Sequence, residues 1–544
     1  MTDDRIREDI FPTRIVASEG NIDGIEKFCD PIDLQIDVAE PRLIRITGKS
    51  FVVFDFGREL NGGVRILTHH VEGGSVKVRI RCGESVSESY AEKGDRLAHN
   101  HHTLRDTEAE ILDYSDMSFM ETGFRFVRLD FPEGTDVSIK AVTAVYVHRD
   151  LKRLGSFTSN DKRVNDIFET AAYTLTLNMQ RFIWDGIKRD RLVWVGDMHP
   201  ETMGIMSLFG EDKSVIESLE FARSHTPLPN WINGIPAYSM WYLIILADYY
   251  MQTGKAEYIA SQRSYIDKLV RQIDEHISED GTVDFGDCLF DWPSHGKPDE
   301  IIGVTAVTYL AAKSSLVLFQ LLGLDISICD NMMLKLKNFN RKSVEFKQCE
   351  AMKVYAGLSE PEDAVDFLTA GGAKGLCTFM SYYILTSVAE AGKPEVALQM
   401  MKDFYGAMLD KGATTFWENF DTDWIEGSSR IDELPKKGEK DIHGDYGEFC
   451  YVGFRHSLCH GWSCGPVSFL LRTITGIEPI APGCKVVAVN PVSAGLMNYT
   501  AEYPTPYGTI KVELQGGKFT VTRPKKVKVV VPEDRKKEIK ILKK

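Results

Sequence analysis

Long apolar runs are missing from this 544-residue sequence. None approaches the ~20 residues that cross a bilayer, and the longest, such as residues 243–247, read as pieces of core helix. A membrane is therefore not an expected partner. The opening Met-Thr-Asp-Asp-Arg lacks the basic start and apolar stretch of a secretory signal. The ten cysteines follow no framework spacing, so reduced, mostly buried thiols and a cytoplasmic location are expected. Positive charge is in the minority, with 64 Lys and Arg against 79 Asp and Glu for a formal net charge of −15. Such a chain repels phosphate backbones, so nucleic acid is not an expected partner either. Self-association into a homo-oligomer is left open. There is no Walker loop, no GxGxxG after a strand and no GxSxG elbow. Phosphoryl transfer, nicotinamide chemistry and α/β-hydrolase chemistry thereby lose their usual support. No solenoid-like repeat is visible. Wholesale disorder is excluded by a hydrophobic fraction of 43% and a charged fraction of 26%.

What is present divides the chain by period. Residues 1–153 alternate like strands in Phe51-Val-Val-Phe-Asp-Phe, Val64-Arg-Ile-Leu, Ser75-Val-Lys-Val-Arg-Ile-Arg and Phe124-Arg-Phe-Val-Arg-Leu-Asp-Phe. Ser138-Ile-Lys-Ala-Val-Thr-Ala-Val-Tyr-Val is the last of them, and Gly62-Gly63 and Gly73-Gly74 read as turns. An antiparallel β-sandwich is predicted. Over 154–475 the period becomes helical. Asn160 and Asp161 precede Val164, Ile167, Phe168, Ala171, Ala172 and Leu175 as caps. Further helical patterns cover 215–222, 240–251, 258–277, 304–322, 379–391 and 395–408. Roughly ten to twelve helices suit antiparallel hairpins closed into a toroid, with chemistry on the loops at one end. Residues 476–544 return to short strands, a small C-terminal sandwich whose Lys-rich end is a solvated edge.

Four polar groups interrupt this framework. Residues 184–201 carry Asp185, Asp190, Asp197 and Glu201 among Lys188, Arg189, Arg191, Trp184 and Trp194. Mixed charges and indoles beside glycines suit a loop entering a cleft, whereas a salt-bridged surface helix would segregate them. Arginines lower a carboxylate's pKa and apolar walls raise it, so acid and base roles can be separated here. Thr414-Thr-Phe-Trp417-Glu418 supplies a distant carboxylate. Opposed carboxylates are what glycosidic hydrolysis needs, one to protonate the leaving oxygen and one to activate water. The bland alternative for Glu418 is an acid at a helix start, packed by core aromatics. Asp291-Trp292 comes after Gly286 as a binding loop or an Asx turn. His456 and His460 have zinc-like spacing without the glutamate or CxxC that would support zinc. His460 therefore reads as a hydroxyl donor or a structural histidine. His99-Asn-His101-His102 reads as a solvated loop.

With those residues in view, the chain resembles the bacterial α-L-rhamnosidases of glycoside hydrolase family seventy-eight. The pattern Asp-x-x-x-Arg-acid-x-x-x-Trp-x-Gly-Asp runs from Asp185 to Asp197. Thr415-Phe-Trp-Glu418, Ser457-Leu-Cys-His460-Gly-Trp and Asp291-Trp292 match further segments, as do residues 54–65, 122–128, 155–161 and 476–485. The resemblance implies a multidomain α and β protein, an (α/α)6 toroid flanked by N-terminal and C-terminal antiparallel β-sandwiches. It implies inverting hydrolysis of terminal α-L-rhamnosides on a carbohydrate substrate. Asp190 would be the general acid, where the family usually has Glu, with Glu201 as the alternative donor. Glu418 would be the general base. Asp185, Arg189, Trp194, Asp197, Asp291, Trp292, Trp417 and His460 would bind substrate. No organic cofactor is implied, and no motif calls for a metal. The rival readings are another six-hairpin sugar enzyme, an unsaturated uronide hydrolase or a lyase, and a sugar-binding protein whose acid has decayed.

Overall fold

The period-two segments do form sheet. In the computed structural model, which describes residues 3–544, the first sheet contains β1 (Ile6–Ile10), β2 (Arg14–Asp23), β3 (Ile44–Val71), β4 (Ser75–Gly83), β5 (Asp106–Leu112), β6 (Asp116–Phe131) and β7 (Asp136–His148). Their order is β1-β7-β3-β6-β4-β5, with β2 also paired to β3. Every pairing is antiparallel. Gly73 and Gly74 have φ of 79° and 85° and turn β3 into β4, as predicted. Gly62 and Gly63 do not form a turn. They lie inside the 28-residue β3, where Gly62 faces Thr122 of β6 and Tyr146 of β7. A Cβ on Gly62 would stand 1.8 Å from the Val145 carbonyl oxygen, and one on Gly63 2.5 Å from that of Met120. The glycine pair therefore serves close backbone approach at an irregular register, a second meaning of glycine in a strand.

These strands belong to a unit of Met1–Asp150, Thr176–Leu192 and Met408–His460. Its interior is aromatic, with Phe28, Phe54, Phe56, Phe124 and Phe126 buried. Arg125 forks onto Asp55 at 2.8 and 2.9 Å and donates a third bond to the Gly412 carbonyl at 3.0 Å. That guanidinium ties the sheet to the segment leading toward Glu418. A short α1 (Val86–Tyr90) comes after β4, with the Ser85 hydroxyl accepting from the Glu88 amide at 3.1 Å.

The second unit is Leu151–Leu175, Val193–Ala407 and Gly461–Lys544. Along the chain its α-helices are α2 (Lys162–Asn178), α3 (Met198–Phe209), α4 (Lys213–Ser224), α5 (Pro236–Thr253), α6 (Glu257–Ser261), α7 (Arg263–Asp274) and α8 (Glu300–Leu322). They continue as α9 (Ser327–Leu336), α10 (Lys347–Ala356), α11 (Pro361–Thr369), α12 (Ser381–Glu390), α13 (Pro394–Asp410) and α14 (Gly465–Ser468). Asp161 caps α2, accepting from the amides of Arg163 and Val164 at 2.9 and 3.3 Å. The single helix predicted over 258–277 is broken at Gln262 into α6 and α7. Within this unit α3 packs on α5, α5 on α8, α8 on α10, α10 on α12, α12 on α14, and α14 on α3. Helices α5 and α8 are apolar on nearly all sides, which suits elements covered on all sides. At 23 residues α8 has the length and composition of a membrane span. That corrects the expectation that no apolar stretch comes near this length. Most of α8 is buried against its neighbours, as a core helix would be.

β8 (Ser156–Ser159) precedes α2 and joins the C-terminal strands. The short pair β9 (Gly447–Glu448) and β10 (Tyr451–Val452) belongs to the first unit. Then come β11 (Ile477–Pro479), β12 (Val486–Val489), β13 (Asn498–Thr505), β14 (Gly508–Gln515), β15 (Lys518–Arg523), β16 (Lys528–Val530) and β17 (Ile539–Lys543). One sheet runs β17-β15-β14-β13-β8 and another β11-β12-β16. The Lys-rich end is the edge strand β17, parallel to β15.

Replacing Gly62 by Ala is expected to destabilise the protein by about 1–3 kcal/mol or more, because the clash is with backbone and cannot relax by rotamer change. Urea unfolding at an unchanged m-value measures it.

Candidate active site

Lys188 is a charge anchored on several sides. It is buried, and its Nζ lies 2.9 Å from Glu84 and 3.3 Å from Glu88. It also donates to the carbonyls of Phe454 and His456 at 2.9 and 2.7 Å. Glu84 in turn accepts from the Leu458 amide at 2.6 Å. One ammonium thus joins the end of β4, the 184–192 loop and the 454–458 segment. Burial pushes the Glu84 carboxyl up, to about 7, against the pull of Lys188. Lys188 is held above its ordinary value because Glu84 and Glu88 outweigh its own burial. Glu84, Glu88 and His443 bring potential metal donors within 4.8 Å of one another. The ammonium pairs with both carboxylates, and His443 is engaged at Nδ1 by Ser85 and at Nε2 by the His456 carbonyl. This cluster is an ion-pair network.

The next two residues, Arg189 and Asp190, are both site candidates from the sequence. Arg189 is buried; its Nη1 approaches Asp190 Oδ1 at 3.4 Å and its Nη2 donates to Glu418 Oε1. The two carboxylates proposed from sequence are therefore bridged by one guanidinium. Glu418 is 2% exposed. Its Oε2 accepts from the Ser457 amide at 3.1 Å, and its own amide donates to the Ser457 carbonyl at 2.9 Å. Burial acts to raise the Glu418 carboxyl, but Arg189, His460, His456 and the Ser457 amide outweigh it and hold it below the ordinary value. Glu418 sits on a loop, not at a helix start. Asp190 is partly exposed, and its Oδ1 is 3.0 Å from His102 Nε2. Burial keeps His102 below the ordinary histidine value, even though Asp190 acts to raise it.

Asp190 and Arg191 both have positive φ, 58° and 55°. Two successive non-glycine residues in the left-handed region are unusual, and such backbone is concentrated at functional sites. The turn also sends neighbouring side chains apart. Arg191, expected beside the carboxylates, instead binds Glu121 at 2.9 Å and lies over the Trp184 ring at 4.4 Å. Asp185 is buried and accepts from the Leu192 amide at 2.9 Å, closing the loop. Gly186 forms an isolated bridge with His460, whose amide donates to Phe416 at 3.1 Å. His460 is thus held beside Asp185 and close enough to Glu418 to lower its pKa. His456 and His460 are not on a helix; His456 Nε2 accepts from the Asn419 amide at 3.0 Å and serves the Glu418 loop. Trp417 is 1% exposed and packs edge-on to Phe420 and His456.

The remaining candidates lie in the second unit. Asp197 precedes α3 and receives the Tyr238 hydroxyl at 3.4 Å, while Trp194 meets the same ring edge-on at 6.2 Å. Gly196 permits this, since a Cβ there would fall 2.1 Å from the Tyr238 ring. Asp291 is buried, accepts from Ser294 and from Gln348 at 2.8 Å, and is pushed up to about 6 by burial. Trp292 meets His295 edge-on at 5.9 Å. Glu201 is fully buried within α3 against Gly461, so it is a packed helix acid with no solvent-facing edge. The residue that sequence reasoning missed is His102. Its histidine-rich segment was visible, but its pairing with Asp190 bridges 88 positions that no spacing rule connects.

Two stretches of the chain match known families. Residues 152–317 match the bacterial alpha-L-rhamnosidase 6 hairpin glycosidase domain, and residues 476–544 match the bacterial alpha-L-rhamnosidase C-terminal domain. No curated protein sequence matches the chain significantly. Among solved structures, a family-78 rhamnosidase of Bacillus sp. GL1 is similar at 20% identity and a TM-score of 0.73, over 93% of this chain and 56% of that one. A rhamnosidase from Klebsiella oxytoca with rhamnose bound is similar at 16% identity and a TM-score of 0.66, over 86% of this chain and 96% of that one. A Streptomyces avermitilis α-L-rhamnosidase complexed with L-rhamnose gives 16% and 0.66, over 86% and 47%. The chain thus spans about half the length of the Bacillus and Streptomyces proteins. These likenesses establish a shared multidomain fold.

Replacing Lys188 by Met leaves two buried carboxylates without their cation and is expected to cost about 3–5 kcal/mol. A carboxylate whose folded pKa is raised loses stability as pH climbs from the unfolded value of about 4.3 toward the folded one. The variant's deficit is therefore expected to be larger at pH 8 than at pH 5, measured by denaturant titration at both.

Proposed function

With the two matched domains taken as those of a bacterial α-L-rhamnosidase, we propose that this chain hydrolyses terminal α-L-rhamnosides, or closely related deoxy-sugar linkages, with inversion. The observation that carries the reading is the bridge of one guanidinium, Arg189, between Asp190 and Glu418. It draws two carboxylates 228 positions apart to a common point. This is compatible with the roughly 6.5–9.5 Å between carboxyls that an inverting pair leaves for water.

In the proposed step Asp190 gives its proton to the glycosidic oxygen as that bond breaks. Water attacks the anomeric carbon and surrenders its proton to Glu418. Arg189 favours the ionised, basic form of Glu418. His102 positions the shorter Asp190 side chain. Asp185 and His460 hold ring hydroxyls, and Arg189 and Trp417 shape the pocket behind them. Trp194, Asp197, Asp291 and Trp292 keep the sugar-contacting roles implied by their match to the family segments. The closed succession of contacts from α3 through α14 supports an (α/α)6 toroid over 154–475. The flanking strands support sandwiches over 1–153 and 476–544. A second reading, a sugar-binding protein without turnover, is favoured by the near-complete burial of Glu418. The two part on a single assay, release of an aryl group from an aryl α-L-rhamnoside at high enzyme concentration.

Asp190→Asn and Glu418→Gln are each expected to lower kcat by at least about a hundredfold, with NMR finding the first-released sugar in the inverted anomeric form. Turnover that survives both changes overturns the assignment. Because the base must be ionised, activity falls as pH drops through the Glu418 pKa. Arg189→Gln removes the cation that lowers it, so the acid limb of the kcat/KM profile is expected to move to higher pH.

A further inference from the structure

Asp190 is held by one of its two carboxyl oxygens. Arg189 Nη1 approaches Oδ1 at 3.4 Å, and His102 Nε2 lies 3.0 Å from the same atom. Oδ2 meets no donor among the described residues, and Asp190 remains partly exposed. The loop that brings His102 here is fastened on both sides of it. Before it, Asn100 Oδ1 accepts from the amides of Arg105 and Asp106 at 3.1 and 3.0 Å, and Asn100 Nδ2 donates to the Asp106 carbonyl at 2.8 Å. After it, the Thr103 hydroxyl donates to the Lys188 carbonyl at 2.8 Å and meets the Thr122 hydroxyl at 2.7 Å. The loop is thereby tied to the backbone two positions before Asp190. His102 and Asp190 both hold left-handed backbone, with φ of 68° and 58°. Such backbone costs free energy in a residue with a side chain and persists where the surroundings fix it. All these residues belong to the first unit.

We propose that His102 is a positioning residue for Asp190: it and Arg189 hold Oδ1, and Oδ2 is the oxygen that carries the proton and delivers it. This rests on the proposed reading of Asp190 as the acid of a hydrolase. In that step the Oδ2–H bond breaks and the proton goes to the glycosidic oxygen as its bond to the anomeric carbon breaks. The carboxylate left on Asp190 is met at Oδ1 by Arg189 and His102. Proton transfer needs hydrogen-bond reach, and aspartate is one methylene shorter than glutamate. Fixing one oxygen of so short a side chain decides which way the other faces. A second cation in place of His102 would favour the ionised carboxyl and strip Asp190 of the proton it must give. The imidazole avoids this. Burial, with Arg189, Arg455 and His101 adding to it, holds His102 below the ordinary histidine value against the pull of Asp190, so the ring is neutral at neutral pH. The Cys450 thiol, a further titratable group near Asp190, is pushed up by burial to about 12 and is neutral too.

The test compares two α-L-rhamnosides on the full chain, one with an activated dinitrophenyl leaving group and one with an alkyl leaving group. A good leaving group departs without protonation, so a misplaced acid is felt with the alkyl glycoside. His102→Ala is expected to lower kcat/KM about ten- to a hundredfold for the alkyl glycoside, and by less than about threefold for the dinitrophenyl one. His102→Gln, whose amide nitrogen can reach Oδ1, is expected to recover most of that loss. His102→Lys places a permanent cation there and favours ionised Asp190, so the alkaline limb of the kcat/KM profile is expected to move to lower pH. His102 is half-buried on a loop, so these changes do not open the core. Equal losses on both glycosides, no loss in His102→Ala, or an unmoved alkaline limb in His102→Lys overturns the proposal. The NMR resonance of the His102 Nε2 nitrogen gives a readout free of turnover. It is expected to move in Asp190→Ala, and a resonance that stays in place also overturns the proposal. If the unaltered chain hydrolyses neither glycoside while that resonance moves, the hydrolase reading falls and the contact between His102 and Asp190 stands. Hydrolysis with equal losses on both glycosides sinks the positioning role alone.

Discussion

A single buried ammonium holds the site together. Lys188 is surrounded by two carboxylates and two carbonyls drawn from segments that lie far apart in the chain. A buried charge is tolerated only when its partners surround it. The cation in turn must be present, because Glu84 and Glu88 are themselves buried, and Glu84 would otherwise lack a cation. This mutual need fixes the backbone on either side of position 188. Thr103 reinforces it, donating to the Lys188 carbonyl at 2.8 Å.

That anchor decides the placement of Arg189 and Asp190. With Lys188 turned inward, the left-handed turn at Asp190 and Arg191 throws three consecutive cationic or anionic side chains in different directions. Arg189 goes to Glu418, Asp190 toward His102, and Arg191 to Glu121 and Trp184. The 454–460 segment is gripped by the same ammonium, and its Ser457 amide holds Glu418 from the other side. Asp190, Glu418 and their shared arginine are thus arranged by one electrostatic constraint.

Much of this was legible in residue pattern. Alternation marked the strands, and helical spacing located α2, α4, α5, α8, α12 and α13 within a few residues. Those signals are local, because burial on one face of a strand or helix repeats every two or 3.6 residues. The reading failed where one residue type serves two physical ends. Gly62-Gly63 looked like a turn and is a strand interior crowded by neighbouring carbonyls. The helix expected over 258–277 hid a break at Gln262. Arg191 shared a segment with the carboxylates but not a neighbourhood, because backbone handedness at two residues separates it from them.

The sequence by itself determined where the chain would be strand or helix, which segments hold carboxylates among arginines and indoles, and the likeness to rhamnosidases that the matched domains bear out. Only the tertiary structure decided that Asp190 and Glu418 share one arginine and that His102 comes to Asp190. The physical reason is range. Periodicity and propensity act between residues a few positions apart, whereas an ion pair acts through space and gains its strength from burial that only packing creates.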